Sequence, residues 1–357
     1  MTNNEVTFKS RVQKFWRWFA EAAPLYSQTI AAGARATLTT EISTKVNELA
    51  DALAWEFGPG AGDCGHSLTV SGEGNLHRQL LTIYWLERAP SLPGWTFYPA
   101  RQAGSIKGYR IDFGGRQFDP AELLATAAVN TDKQVLNITV WHPLFDNMPE
   151  RERWTVLFLF LDMFLGEYGT QQWIGKITFA SERPVDSIPP EELRPLLDRV
   201  KAEHKWNKFP PGELMTGYRF EKPHTRWLRG DIVAGTTVNF PLINQYTNAQ
   251  GDMKDTLAGT GADYVFVTFA ASILPPGLQV EIRAQIEDAL DAALRSSASG
   301  RSLGGATGTM NAYIDLLLFD GPAGIEIIKS ILREKGLPAG ASIHYFATEK
   351  QMCRIVM

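Results

Sequence analysis

WTVLFLFLDMFLGEYG, residues 154 to 169, is the longest near-continuous apolar run in the chain, and its reading decides the fold. At helical period Thr155 and Asp162 fall seven apart on one narrow stripe, which Gly166 and Gly169 continue. That stripe is small or polar and the other faces are fit only for burial. The segment is therefore expected to be the buried spine helix of the larger domain. Its apolar stretch of about a dozen residues, interrupted by Asp162, falls short of the roughly 20 that a membrane span needs.

Upstream, Val12, Phe15, Trp16, Phe19 and Ala20 recur at three- and four-residue intervals and predict an amphipathic helix over 8–30. Ile42, Val46, Leu49, Leu53 and Phe57 predict a second helix over 39–57, closed by Gly58-Pro59-Gly60. Alternating runs predict strands at 66–72, 95–100, 124–130, 135–142 and 173–180, with a helix at 76–87. The Gly114-Gly115 pair between YRIDF and RQFD predicts a hairpin. Pro189-Pro190-Glu191-Glu192 opens a helix reaching about His204, with acids in the first turn where the macrodipole favours them.

Residues 205–262 carry no sustained period and read as a connector with one short strand or hairpin near 236–240. Periodicity returns at Asp263: strands at DYVFVTFA, TMNAYIDLLLFD and SIHYFAT alternate with helices at 278–294 and 325–334. With the short 302–305 piece pairing to the long strand, the order is β-α-β-β-α-β, a ferredoxin-like module. The expected fold class is α+β. A helix-covered, mainly antiparallel sheet occupies 1–204, the connector 205–262, and the ferredoxin-like module 263–357.

At 357 residues the chain is long enough for two domains, and its 44% hydrophobic and 21% charged residues are those of an ordinary globular protein. A net charge of −4 argues against chain-wide affinity for nucleic acid or anionic membranes. Cys64 and Cys353 form no disulfide framework or zinc spacing, so a reducing compartment is expected. The start, MTNNEVTFKSRVQKFW, has no signal-peptide apolar segment. A cytoplasmic protein follows as the expectation.

FWRWF, WLERAPSLPGWTFYPAR, WHPLF, FLDMFLGEYG and WIGKITF, spread over the first 180 residues, resemble bacterial proteins of uncharacterised function. That resemblance implies no catalytic residue. The C-terminal part resembles ferredoxin-like modules by element order, an architecture that hosts many unrelated functions.

Asp162 and Glu167 sit toward the end of the spine helix, where carboxylates oppose the macrodipole and burial demands a partner. With His142, Arg151 or Arg153 they would form a general acid/base site; otherwise Asp162 forms a buried ion pair and Glu167 caps a neighbour. Cys64 with His66 and His142 would make a thiol nucleophile and base, but no nucleophile-elbow signature surrounds Cys64. The glycine-rich 302–308 segment has no Lys after its last glycine and leads into a strand, so a hairpin or strand edge with glycine bulges fits it better than a phosphate loop. No metal site and no cofactor are expected.

In the connector, Arg199, Lys201, Lys205, Lys208, Arg219, Lys222, Arg226 and Arg229 outnumber Glu203, Glu213 and Glu221, with Trp206, Phe209, Tyr218, Phe220 and Trp227 interleaved. The mixture fits a protein-binding surface made by Arg199, Lys205, Trp206, Lys208, Tyr218, Arg219, Arg226 and Trp227, or aromatics that anchor the connector while charges face water. Single-stranded nucleic acid would use the same groups, although no RNP1 sequence accompanies them. The leading reading is a binding protein, regulatory, inhibitory or immunity-type, with a protein partner. The alternatives are a hydrolase or transferase with its site between the N-terminal sheet and helix 154–167, and RNA binding through 199–229.

Overall fold

A computed structural model describes residues 6–104, 108–337 and 340–356. In chain order the helices are α1 (Phe8–Ala31), α2 (Thr39–Leu49), α3 (Leu76–Leu86), α4 (Glu150–Leu165), α5 (Glu167–Trp173), α6 (Leu193–His204), α7 (Phe240–Asn248), α8 (Gln279–Ser296) and α9 (Gly321–Glu334). The strands are β1 (Ala54–Pro59), β2 (His66–Ser71), β3 (Trp95–Tyr98), β4 (Ile111–Phe113), β5 (Arg116–Phe118), β6 (Leu124–Asn130), β7 (Val135–Trp141) and β8 (Ile174–Phe179). They continue with β9 (Thr216–Arg219), β10 (Ile232–Thr237), β11 (Asp263–Ala270), β12 (Gly300–Gly308), β13 (Asn311–Leu318), β14 (Ser342–Tyr345) and β15 (Ile355–Val356). The class is α+β. Among the described residues, no helix is long and apolar enough to cross a membrane.

The chain divides into two compact units, one of residues 1–53, 83–95 and 211–357 and the other of 54–82 and 96–210. Their limits differ from those drawn at 204/205 and 262/263 on periodicity, and one of them falls inside α3.

The 54–210 unit holds two three-stranded sheets, ordered β1-β2-β3 and β6-β7-β8, and the hairpin β4-β5. Strands β7 and β8 run parallel because α4 and α5 carry the chain back between them. Gly114 and Gly115 both have positive φ, 58° and 73°, which a two-residue type I′ connection requires. α4 buries Val156, Leu157, Phe160, Leu161 and Phe164 in a cluster with Ile138, Val140, Trp173 and Leu197. It is thus the spine of this unit, but it stops at Leu165.

Gly166, at φ 75° and ψ 157°, breaks the expected continuous helix, and α5 begins afresh at Glu167. A second difference is α2, which ends at Leu49 instead of 57. The Leu53–Phe57 spacing suits a helix, but residues 54–59 pair antiparallel with β2 and satisfy their backbone there.

In the other unit a seven-stranded sheet runs β15-β14-β11-β13-β12-β10-β9. Residues 263–345 follow the order β-α-β-β-α-β, and β11 pairs antiparallel with both β13 and β14. On one face Val265, Val267, Ile314, Leu316 and Leu318 pack against α8 and α9 through Ile286, Leu290, Ile328 and Leu332. Segment 205–262, read as a connector, contains β9, β10 and α7, the last capped by the Asn239 side chain. β12 lies between β10 and β13, with a register shift between Ser302 and Gly304, so the glycine-rich segment is an interior strand with a bulge.

Candidate functional site

The break at Gly166 changes the electrostatic standing of the two candidate carboxylates. Glu167 becomes the first residue of α5, where a negative charge meets the favourable end of the macrodipole. It is 2% exposed, and its oxygens take four hydrogen bonds. Ser71 Oγ donates at 2.6 Å, the Gly74 and Arg101 backbone N–H groups at 2.9 and 3.3 Å, and Gln79 Nε2 at 2.9 Å. The Glu167 N–H donates back to the Arg101 carbonyl at 2.9 Å. Glu167 therefore pins the β2–α3 turn and the chain beyond β3 to the head of α5.

Asp162 keeps the unfavourable position near the end of α4. Its side chain is 12% exposed, and its ion-pair partner is Arg101 Nη1 at 3.8 Å. That guanidinium also meets Glu73 at 2.5 Å and Glu56 at 3.7 Å. Burial pushes the Asp162 carboxyl up to about 7; the Thr170 hydroxyl and Arg101 oppose the shift, and Glu167 and Glu73 add to it. Neither Arg151 nor Arg153 is the counterion. It comes from Arg101, beyond β3, and a buried Asp162 in sequence announced only that some cation was needed.

His142 stands apart. It accepts from the Leu144 N–H at Nδ1, 3.2 Å, which leaves Nε2 as the protonated nitrogen facing the Asp119 carbonyl at 3.3 Å. Its ring packs among Phe118, Phe145 and Phe160, and burial lowers its pKa. Nε2 also lies 3.7 Å from the half-exposed Glu122 carboxylate, and neither nitrogen meets Asp162 or Glu167. Cys64 is exposed and likewise has no contact with His142 nitrogens.

The predicted binding residues divide between the two units. Trp206 is 7% exposed, parallel to Trp173 at 6.3 Å and stacked on His204 at 5.5 Å. Lys208 lies over the Trp173 ring at 4.8 Å and donates to the Gln172 carbonyl. Tyr218 is buried in β9, and Trp227 meets His224 edge to face. Arg199, Lys205, Arg219 and Arg226 are exposed. The aromatics thus anchor the segment locally while these cations face water.

A cluster that the sequence reading missed lies on the sheet face opposite α8 and α9. Arg229 makes a bidentate pair with Asp315, both almost wholly buried. The guanidinium is surrounded by the rings of Phe266, Phe346, Tyr313 and Tyr246 at 4.9 to 5.9 Å. Asp231 accepts from the Tyr313 hydroxyl at 2.5 Å and from the Met310 and Asn311 N–H groups. The signal was Asp315, one charge inside the apolar strand AYIDLLLF.

A surface cleft of about 230 Å³ lies along α1 and α2, lined by Val6, Arg11, Lys14, Phe15, Trp18, Lys45 and Glu48. Lys45 sits 5.6 Å over the Trp18 ring, and Glu48 bridges Lys14 and Lys45 at 3.4 and 3.2 Å. Among the described residues, no group of three His, Cys, Asp or Glu side chains is arranged to hold a metal ion. No family model, curated protein or solved structure matches this chain.

Proposed function

We propose that the protein acts by binding a protein partner, which docks on the α1–α2 cleft. The observation that carries this reading is the composition of the cleft: Trp18 and Phe15 stand among three cations and one carboxylate, Glu48. Phe15 is buried and Trp18 half-buried, so Trp18 and Arg11 are the side chains of the kinds that carry protein hot spots. The internal partners of Glu167 and His142 agree with it, because they give both side chains structural work. Affinity capture from lysate of the source cells tests the reading. A partner retained by the intact chain and by Arg199→Glu, but lost from Trp18→Ala/Lys14→Glu, supports it; retention by every variant contradicts it.

The hydrolase or transferase reading has one observation in its favour, the Asp162 carboxyl at about 7, in the working range of a general acid or base. A folded Asp162→Asn protein that had lost a hydrolytic or group-transfer activity of the intact chain would move the assignment there.

A further inference from the structure

Arg101 serves three carboxylates, and it serves them unequally. Glu73 and Glu56 are 39% and 47% exposed and reach the guanidinium at 2.5 and 3.7 Å, while the most buried, Asp162, has it only at 3.8 Å. The Glu167 carboxylate accepts from the Arg101 backbone beside them. One guanidinium therefore faces acids from β1, from the turn after β2 and from α4, while the α5 carboxylate meets the Arg101 backbone N–H. Thr170 of α5 adds a hydroxyl, and the Ser71 and Gln79 dipoles are already committed to Glu167. α6 also packs on α4, and its Arg194, Asp198 and Arg199 are exposed.

The same arginine begins a strap, residues 101–104, laid across the break between α4 and α5. The Gly104 N–H donates to the Met163 carbonyl at 2.9 Å, and the Glu167 N–H to the Arg101 carbonyl at 2.9 Å. Gly166 lets the strap lie this close: a Cβ there would stand 3.2 Å from the Ala103 nitrogen and the Arg101 oxygen.

We propose that Arg101 is a proton-responsive clasp: with Asp162 neutral the guanidinium holds Glu73 and with it the β2–α3 turn, and ionisation of Asp162 draws it from Glu73 toward α4 and loosens that turn. The step is a proton leaving the Asp162 carboxyl for water, with no other bond made or broken. A second buried anion beside Glu167 is costly unless the nearest cation moves toward it. Burial sets the transition near neutral pH, since it raises the Asp162 carboxyl to about 7. The clasp stands apart from the binding reading and survives the failure of that reading.

Amide hydrogen exchange of Glu73 and Gly74 in the intact chain, corrected for intrinsic rates and set against core amides of α4 that report global opening, tests the clasp. Between about pH 6 and pH 8 protection of both amides is expected to fall roughly tenfold more than that of the α4 core amides in the wild type, and the difference to vanish in Asp162→Asn. Protection independent of pH, a fall shared equally by the α4 core amides, or an excess fall that persists in Asp162→Asn, overturns the proposal. Should that variant not fold, Glu73→Gln decides: with no carboxylate for the guanidinium to leave, the excess fall at the Gly74 amide is expected to disappear, and an unchanged excess fall overturns the proposal.

Discussion

Asp162 and Glu167 lie little more than a turn apart, yet one is held by four hydrogen bonds at a helix head and the other is buried near a helix end. Their stability contributions differ accordingly. For Asp162 the folded pKa, about 7, exceeds the ordinary carboxyl value of 3.8, so the native state binds the proton more tightly. Its favourable contribution is complete below about pH 4 and is lost as pH rises to about 7, beyond which the loss is constant. Asp162→Asn is expected to raise unfolding stability at pH 8 by on the order of 2 kcal/mol and to change it little at pH 4, as measured by urea unfolding. A second test concerns Arg229, whose removal strands the buried Asp315 carboxylate. Arg229→Met should cost about 3 to 5 kcal/mol in the same assay, and Arg229→Met/Asp315→Leu should recover most of it. The need for partners was legible at Asp162 and Asp315, each a lone charge in an apolar run. Arg101 and Arg229 were not legible as those partners, because strand pairing and chain return bring them there from distant positions.

At the scale of elements, the 154–169 run shows what periodicity conveys and what it omits. Its apolar faces do form the core of the 54–210 unit. On the stripe of Thr155, Asp162, Gly166 and Gly169, it is at Gly166 that residues 101–104 approach closely. The break itself was not read, because an apolar period continues through Leu165 and only the backbone angle at Gly166 ends it. That angle lies in a region nearly reserved for glycine. Gly166→Ala is expected to cost about 1 to 3 kcal/mol, with faster exchange at Gly104; an unchanged urea midpoint would contradict the account of the strap. α2 is the converse case: Leu49, Leu53 and Phe57 keep a helical spacing, but pairing with β2 wins over it beyond Ala54. The hairpin at Gly114-Gly115 and the strands β11 and β13 were readable because turn chemistry and unbroken apolar runs there have local causes.

In the molecule as a whole, Asp162, Glu167 and His142 are turned inward and tied to their own chain, while the α1–α2 cleft holds a half-buried Trp18 among cationic groups at the surface. Of the aromatics of 206–227, Trp206 and Tyr218 are buried, while the α1–α2 cleft holds the half-buried Trp18 beside Arg11, Lys14 and Lys45. The account therefore separates two properties: a proton-sensitive interior seam and a binding exterior. The most direct measurement is the affinity of the captured partner, by titration calorimetry at about pH 7, for the intact chain, Trp18→Ala/Lys14→Glu and Asp162→Asn. The account predicts a loss of roughly thirtyfold or more for the cleft variant and a change within about threefold for Asp162→Asn. Full affinity in the cleft variant, with loss on Asp162→Asn, would contradict it and place the working site at the α4–α5 seam.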